Sequence, residues 1–191
     1  MVKDGVAHIS LNYDLCPDVT LDDIVDEMRN AIVYIYSNAA DLGVDETRLF
    51  LPGHSAGGHL TGMMLREDWT VHGLPADVIK GALPLSPVFE PEAIMHTSIN
   101  DDVRLDIDMA ERNNVLAGPP AMEGPIIAAA GALEPIGFRQ QSVSYANMCR
   151  ANGLGTEYYE IKSCHHFTAL DALRNRDHEL YQKLLAMIRG A

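Results

Sequence analysis

The stretch Leu49-Phe50-Leu51-Pro52-Gly53-His54-Ser55-Ala56-Gly57-Gly58-His59-Leu60 joins an apolar run to a small-residue run through one serine. Gly53-His54-Ser55-Ala56-Gly57 fits the pattern G-x-S-x-G, in which a sharp strand-to-helix turn lifts a serine hydroxyl towards a substrate. Glycines at both ends suit so tight a turn, because larger flanking side chains would collide. The helix beyond the serine would direct its N–H groups and positive dipole end at the reacting centre. A serine hydroxyl is a poor nucleophile until a base takes its proton, and that base needs an acid to orient it. After such a turn the acid and then the histidine are expected later in the chain, on loops beyond the carboxyl ends of strands. Glu134 follows the apolar run 126–130, and His165-His166 follow the run 156–161. Asp171 is the substitute acid.

The remaining chemistry-bearing residues read more plainly. His54 and His59 flank the serine, but neighbours in a tight turn point elsewhere, so supporting roles are expected for them. His8, His72, His96 and His178 read as surface or satisfied core histidines. Cys164 stands beside two histidines, yet three consecutive residues do not easily converge on one ion, so no metal is expected.

The elements that must position these residues follow from periodicity. Residues 6–11 alternate apolar with small or polar side chains and read as a strand. Thr20 with Asp23 makes a capping box, and Ile24, Met28, Ile32 and Ile35 recur at helical spacing; Gly43 is the expected cap at the other end. Residues 48–51 read as a short strand and 58–65 as a small-residue helix. Residues 79–85 and 126–130 read as buried strands, 138–152 as a helix, 156–161 as the last strand and 178–189 as a terminal amphipathic helix. Such alternation implies a mostly parallel sheet covered by helices on both faces. The polar segment 90–120 fits this pattern poorly and reads as short helices or a lid over one end of the sheet.

Length and charge set the outer bounds. The chain has 191 residues, which suggests one domain with a core of useful size. Apolar residues make up 47%, which places it among globular proteins rather than disordered ones. Its net charge is −13, from 14 basic and 27 acidic residues. That balance disfavours nucleic acid and anionic membrane surfaces as partners. The first residues show neither a secretory leader nor a spanning helix. Cys16, Cys149 and Cys164 form no C-x-x-C pair and suggest no disulfide framework, so a reducing cytoplasm is the expected location.

On these residues the chain resembles the α/β-hydrolase superfamily. Within it, the likeness is to the branch of hormone-sensitive-lipase-like esterases and arylformamidases (kynurenine formamidases). Asn12-Tyr13-Asp14-Leu15-Cys16-Pro17 is similar to that branch's NYRLAP, and Val44-Asp45 through His59-Leu60 to its nucleophile region. Gly131-Ala132-Leu133-Glu134 with Phe138-Arg139-Gln140-Gln141-Ser142, and His166-Phe167, resemble further family segments. The resemblance implies a three-layer sandwich, with Ser55 as nucleophile, Glu134 as acid and His166, chosen over His165 by its phenylalanine neighbour, as base. It also implies one oxyanion donor at the backbone N–H of Ala56, and no cofactor. Two departures stand out: glutamate replaces the commoner aspartate, and Gly137 stands where the family often has glutamate.

A third departure is an absence. The family's second oxyanion donor comes from a Gly-rich HGG loop that should precede residues 6–11, and no HGG occurs in this sequence. The fold expected is therefore an α/β-hydrolase lacking its first strands, with an impaired or differently completed oxyanion hole. In the family another strand separates the equivalents of 6–11 and 48–51. Here these two runs must either pair through a right-handed crossover or leave backbone groups unpaired, and an unpaired apolar edge invites another chain. A homo-oligomer is expected for that reason.

The function expected is hydrolysis of small carboxylic esters or aryl-formamides through an acyl-enzyme. A second reading, motivated by the absent loop, is a weakly catalytic remnant that binds a ligand or partner. A third is a fragment whose missing strands are encoded upstream.

Overall fold

The computed structural model describes residues 1–190. Four strands, β1 (Leu49–His54), β2 (Ile79–Leu85), β3 (Ile126–Gly131) and β4 (Thr156–Ile161), form one all-parallel sheet in the order β1-β2-β3-β4. Eight helices accompany them: α1 (Leu21–Ser37), α2 (Ala39–Leu42), α3 (Ala56–Leu65), α4 (Asn100–Val103), α5 (Ile107–Arg112), α6 (Ile136–Ala151), α7 (Asp171–Arg174) and α8 (Glu179–Gly190). Successive strands lie side by side in one direction, so right-handed crossovers place their connecting helices on one face. Helices α1, α3 and α6 share that face, where Ile32, Met64 and Tyr145 pack over Ile79, Ala82 and Ile126. The other face carries α7 and α8, with Ala172, Leu180 and Leu184 against Leu83, Ile127 and Ile161. Neighbouring strand residues divide between the two cores, Ala82 from Leu83 and Ala128 from Ala129, as the two-residue period of a strand requires. Burial on both faces explains the nearly unbroken apolar runs of β2 and β3. The α/β-hydrolase layering read from the sequence is the layering observed.

Local signals set most boundaries. Thr20 and Asp23 complete the capping box of α1 in both directions, and Gly43 ends α2 in the left-handed conformation at φ 67°. The chain turns straight from β1 into α3, which starts two residues earlier than its composition suggested. Residues 90–120 fold as α4, α5 and two short 3₁₀ turns and are fastened to the flank of α3. Arg66 donates to the carbonyl of Asn114 at 2.6 Å and Ala121 N–H to that of Leu65 at 2.7 Å. Arg112 also reaches Asp22 of α1 at 2.7 Å.

One expected element is different. Residues 6–11 belong to no strand, and Ala7, His8, Ile9 and Ser10 are exposed. Among the described residues no backbone hydrogen bond joins 7–13 to the sheet. Alternation alone does not make a strand; it also needs a ladder partner, and a cleft of about 710 Å³ lies between this segment and β1. Of the two outcomes foreseen, unpaired backbone is the one found. The cleft is floored by apolar side chains from both cores, including Met28, Ile32 and Leu60 on one side and Leu184 and Ile188 on the other. Ser55 N–H bonds Leu85 O on β2, so by alternation Pro52 turns its nitrogen to the outer edge of β1. There proline's missing donor costs no ladder bond. No described helix is long and apolar enough to cross a membrane.

Candidate active site

Ser55 occupies the point where β1 becomes α3, and its backbone is held at φ 57° and ψ −117°. A non-glycine residue there is strained, and such strain persists only where its surroundings enforce it. Close packing supplies the enforcement. A Cβ on Gly53 would lie 2.1 Å from the carbonyl oxygen of Gly57, and one on Gly58 would meet Gly53 O, Leu85 O and Pro87 at 3.1 Å. Gly57 faces open space instead. The close approach is therefore made at Gly53 and Gly58, which corrects the expectation that both motif glycines avoid collision. Ser55 also stands at the N-cap of α3, a position serine favours because its hydroxyl can bond the first turn. Here it makes no such cap. Its Oγ lies 2.9 Å from Nε2 of His166.

His166 lies in the loop after β4, and Glu134 follows β3. Nδ1 of His166 is 3.0 Å from Oε2 of Glu134. A carboxylate oxygen accepts, so Nδ1 carries the proton and Nε2 is free to accept from the serine. The other oxygen of Glu134 accepts from Ser86 Oγ at 2.5 Å and from Gly131 N–H at 2.6 Å. The Glu134 side chain is fully buried and that of His166 is 19% exposed. Gly131 permits this because a side chain there would meet Cys164 O at 2.4 Å. Residues 55, 134 and 166, remote in sequence, thus meet at the carboxyl end of the sheet in one hydrogen-bonded chain.

The surroundings fix the imidazole from several sides. The ring of Phe138 lies 4.9 Å from that of His166, His54 lies 4.8 Å away, and Phe167 stands edge-on at 5.4 Å. His54 reaches the backbone carbonyl of His166 at 2.9 Å, and burial holds its own imidazole below the ordinary histidine range. His59 is buried in α3, bonds the carbonyl of Asn113 at 2.8 Å, and is likewise held down by burial. Ala56 is the first residue of α3 and is exposed, so its N–H belongs to the set a helix leaves without internal partners. His165 turns away, its Nδ1 accepting from Phe167 N–H. Asp171 pairs with Arg174 at 3.1 Å in an exposed position.

Sequence reasoning missed Ser86. This residue is fully buried, follows β2, and holds φ 48°. The rule that sites gather beyond the carboxyl ends of parallel strands applies to β2 as well, and would have singled it out.

A family model described as BD-FAE matches residues 1–70. Kynurenine formamidase of Salmo salar is 27% identical over 194 residues, covering 98% of this chain and 64% of the relative. Carboxylesterase NlhH of Mycobacterium tuberculosis is 25% identical over 173 residues, covering 78% of this chain and 52% of that protein. Among solved structures, an esterase of Pyrobaculum calidifontis superposes with a TM-score of 0.74 at 16% identity, over 94% of this chain and 64% of that one. The chain therefore spans under two thirds of the length of the curated relatives it matches. It has the α/β-hydrolase fold, and the relatives it matches include kynurenine formamidases and carboxylesterases.

Proposed function

We propose that the protein is a serine hydrolase of small carboxylic esters or aryl-formamides, acting through an acyl-enzyme. The observation that carries this reading is the unbroken chain from Ser55 Oγ through both nitrogens of His166 to Glu134. Ser55 attacks the carbonyl carbon and His166 takes its proton. His166 then returns that proton to the leaving alcohol or amine, and Glu134 holds the imidazole in the required tautomer throughout. Water, deprotonated by the same imidazole, releases the acid and restores the serine. The N–H of Ala56 and the positive end of α3 stabilise the oxyanion. No metal or organic cofactor takes part. The location proposed is a reducing cytoplasm, where free Cys16, Cys149 and Cys164 persist as thiols.

A fluorophosphonate probe tests this directly: it should label the wild-type protein and leave Ser55→Ala unlabelled, with turnover of p-nitrophenyl acetate lost in parallel. If neither protein labels, the second reading takes over, a hydrolase-like fold that binds a ligand or partner. The cleft beside β1 is the observation that favours that alternative.

A further inference from the structure

The residue just before the nucleophile is joined to the residue proposed as its base, across 112 positions of sequence. His54 Nε2 lies 2.9 Å from the backbone oxygen of His166. A carbonyl oxygen has no proton to give, so Nε2 must carry the hydrogen, and in the neutral ring Nδ1 is then bare. The two imidazoles also lie against each other, with ring centroids 4.8 Å apart and planes tilted by 37°. His166 is thus gripped at two places by two adjacent residues: Ser55 meets the tip of its ring and His54 holds its peptide.

The rest of the loop shows why this grip matters. After β4 the chain passes through Ser163 at φ 58°. It is pinned upstream by Leu133 N–H on Cys164 O and downstream by Ala169 N–H on His165 O, both at 2.9 Å. Between those pins, among the described residues, the backbone oxygen of His166 is fixed by His54. Phe167, the next residue, is 80% exposed and offers the loop little packing. Without the bond from His54, the His166 ring would rest on its contacts with Ser55, Glu134, Phe138 and Phe167 and on the loop's own bonds among His165, Phe167 and Thr168, and the contacts with Ser55 and Glu134 are rearranged during any proton transfer.

We propose that His54 is a positioning residue, a fixed donor that holds the His166 backbone so that the imidazole keeps its distance from Ser55 while protons move. This rests on the reading of Ser55 and His166 as nucleophile and base. His54 touches no reacting atom. Its burial keeps it a neutral donor rather than a second cation beside the imidazolium that forms on His166. The arrangement also explains why a histidine suits the second place of the G-x-S-x-G motif: the side chain must leave the strand end, cross to the neighbouring loop and end in an N–H.

The test uses the whole chain with two replacements. His54→Phe keeps a flat ring and removes the donor, whereas His54→Gln restores an N–H at a similar reach. With p-nitrophenyl acetate, His54→Phe should lower kcat by about tenfold, towards the ~100-fold that an ångström of misplacement costs, with KM changed by less than about twofold. His54→Gln should recover kcat to within about threefold of wild type. Long-range proton–nitrogen spectra of protein labelled at histidine supply a second readout. They should show His54 as the Nε2–H tautomer and His166 as the Nδ1–H tautomer, with the His166 signals broadened in His54→Phe and restored in His54→Gln. Equal kcat in wild type and His54→Phe, or His54 found as the Nδ1–H tautomer, overturns the proposal. If wild type turns nothing over and Ser55 takes no label, it is the hydrolase reading that has failed. The spectra then still decide whether His54 holds the loop.

Discussion

The carboxyl end of the sheet and its outer edge along β1 differ sharply in this molecule. At the carboxyl ends of β1, β2 and β3, polar groups are densely matched: Glu134 alone receives donors from Ser86, Gly131 and His166. Along the outer flank of β1 the reverse holds, with a segment, residues 6–11, that makes no ladder and a cleft of about 710 Å³ in between. The carboxyl end is built from tight turns between adjacent elements, so each turn carries its own positioning information. The flank depends on a neighbour being present in the same layer, and local sequence cannot supply that. Dense polar matching makes the first region intolerant of change, whereas the second should respond to solution conditions and to other chains.

The largest effect expected is at the centre of the matched region. Glu134→Gln places an amide where three donors converge, so its NH₂ must oppose either His166 or the Ser86 and Gly131 pair. A loss of about 10³–10⁴ in kcat is expected from the disturbed tautomer, measured on p-nitrophenyl acetate. A loss under tenfold would mean that the carboxylate is not orienting the imidazole. Ser86→Ala should act in the same direction but more weakly, because Gly131 N–H still bonds the same oxygen. Removing a hydrogen bond to a charged, buried group costs about 1.5–3 kcal/mol. Urea unfolding should register this loss alongside a smaller fall in kcat.

The open flank calls for a different measurement. The outer edge of β1 presents unpaired backbone, and such edges recruit other chains. We propose that this protein self-associates through it. Light scattering should give a mass that rises with concentration, and a monomer at every concentration would refute the idea. Pro52 removes one donor from the edge, which favours a weak and reversible association over open-ended strand addition.

Legibility in the sequence follows the same division. Ser55, Glu134 and His166 could be singled out because each follows a segment that reads as a strand, and a parallel strand delivers its next residues to one end of the sheet. The cap of α1 was readable because Thr20 and Asp23 interact across a single turn. The state of residues 6–11 was not: the alternation in Val6 to Leu11 is the same whether or not a partner strand exists. Nor was the division of labour among the glycines. Gly57 belongs to the motif and faces space, while Gly58 lies outside it and is packed against three backbone or proline atoms. Ser86 follows β2 and was reachable by the same rule, but its partner Glu134 lies 48 residues away, so its part in the pairing is not a local signal.

The smallest expected effect concerns what ties the unpaired segment down. Just before it, Asp4 accepts from the hydroxyl of Tyr181 in α8 and pairs with Arg176. These two partners, Tyr181 foremost, lower its pKa from 3.8 to about 2. The folded state therefore releases this proton more readily than the unfolded chain does. The resulting stabilisation is complete above the unfolded value and is lost as the pH falls from there through about 2. Asp4→Asn removes the charge but keeps the shape. Wild type should unfold at slightly higher urea than Asp4→Asn near neutrality, and the gap should close as the pH is lowered towards about 2. A gap that stays constant with pH would show that the carboxylate charge does not hold the segment. A variant with unchanged stability but stronger self-association would be the sharper result, because the tether and the open edge of β1 border the same cleft.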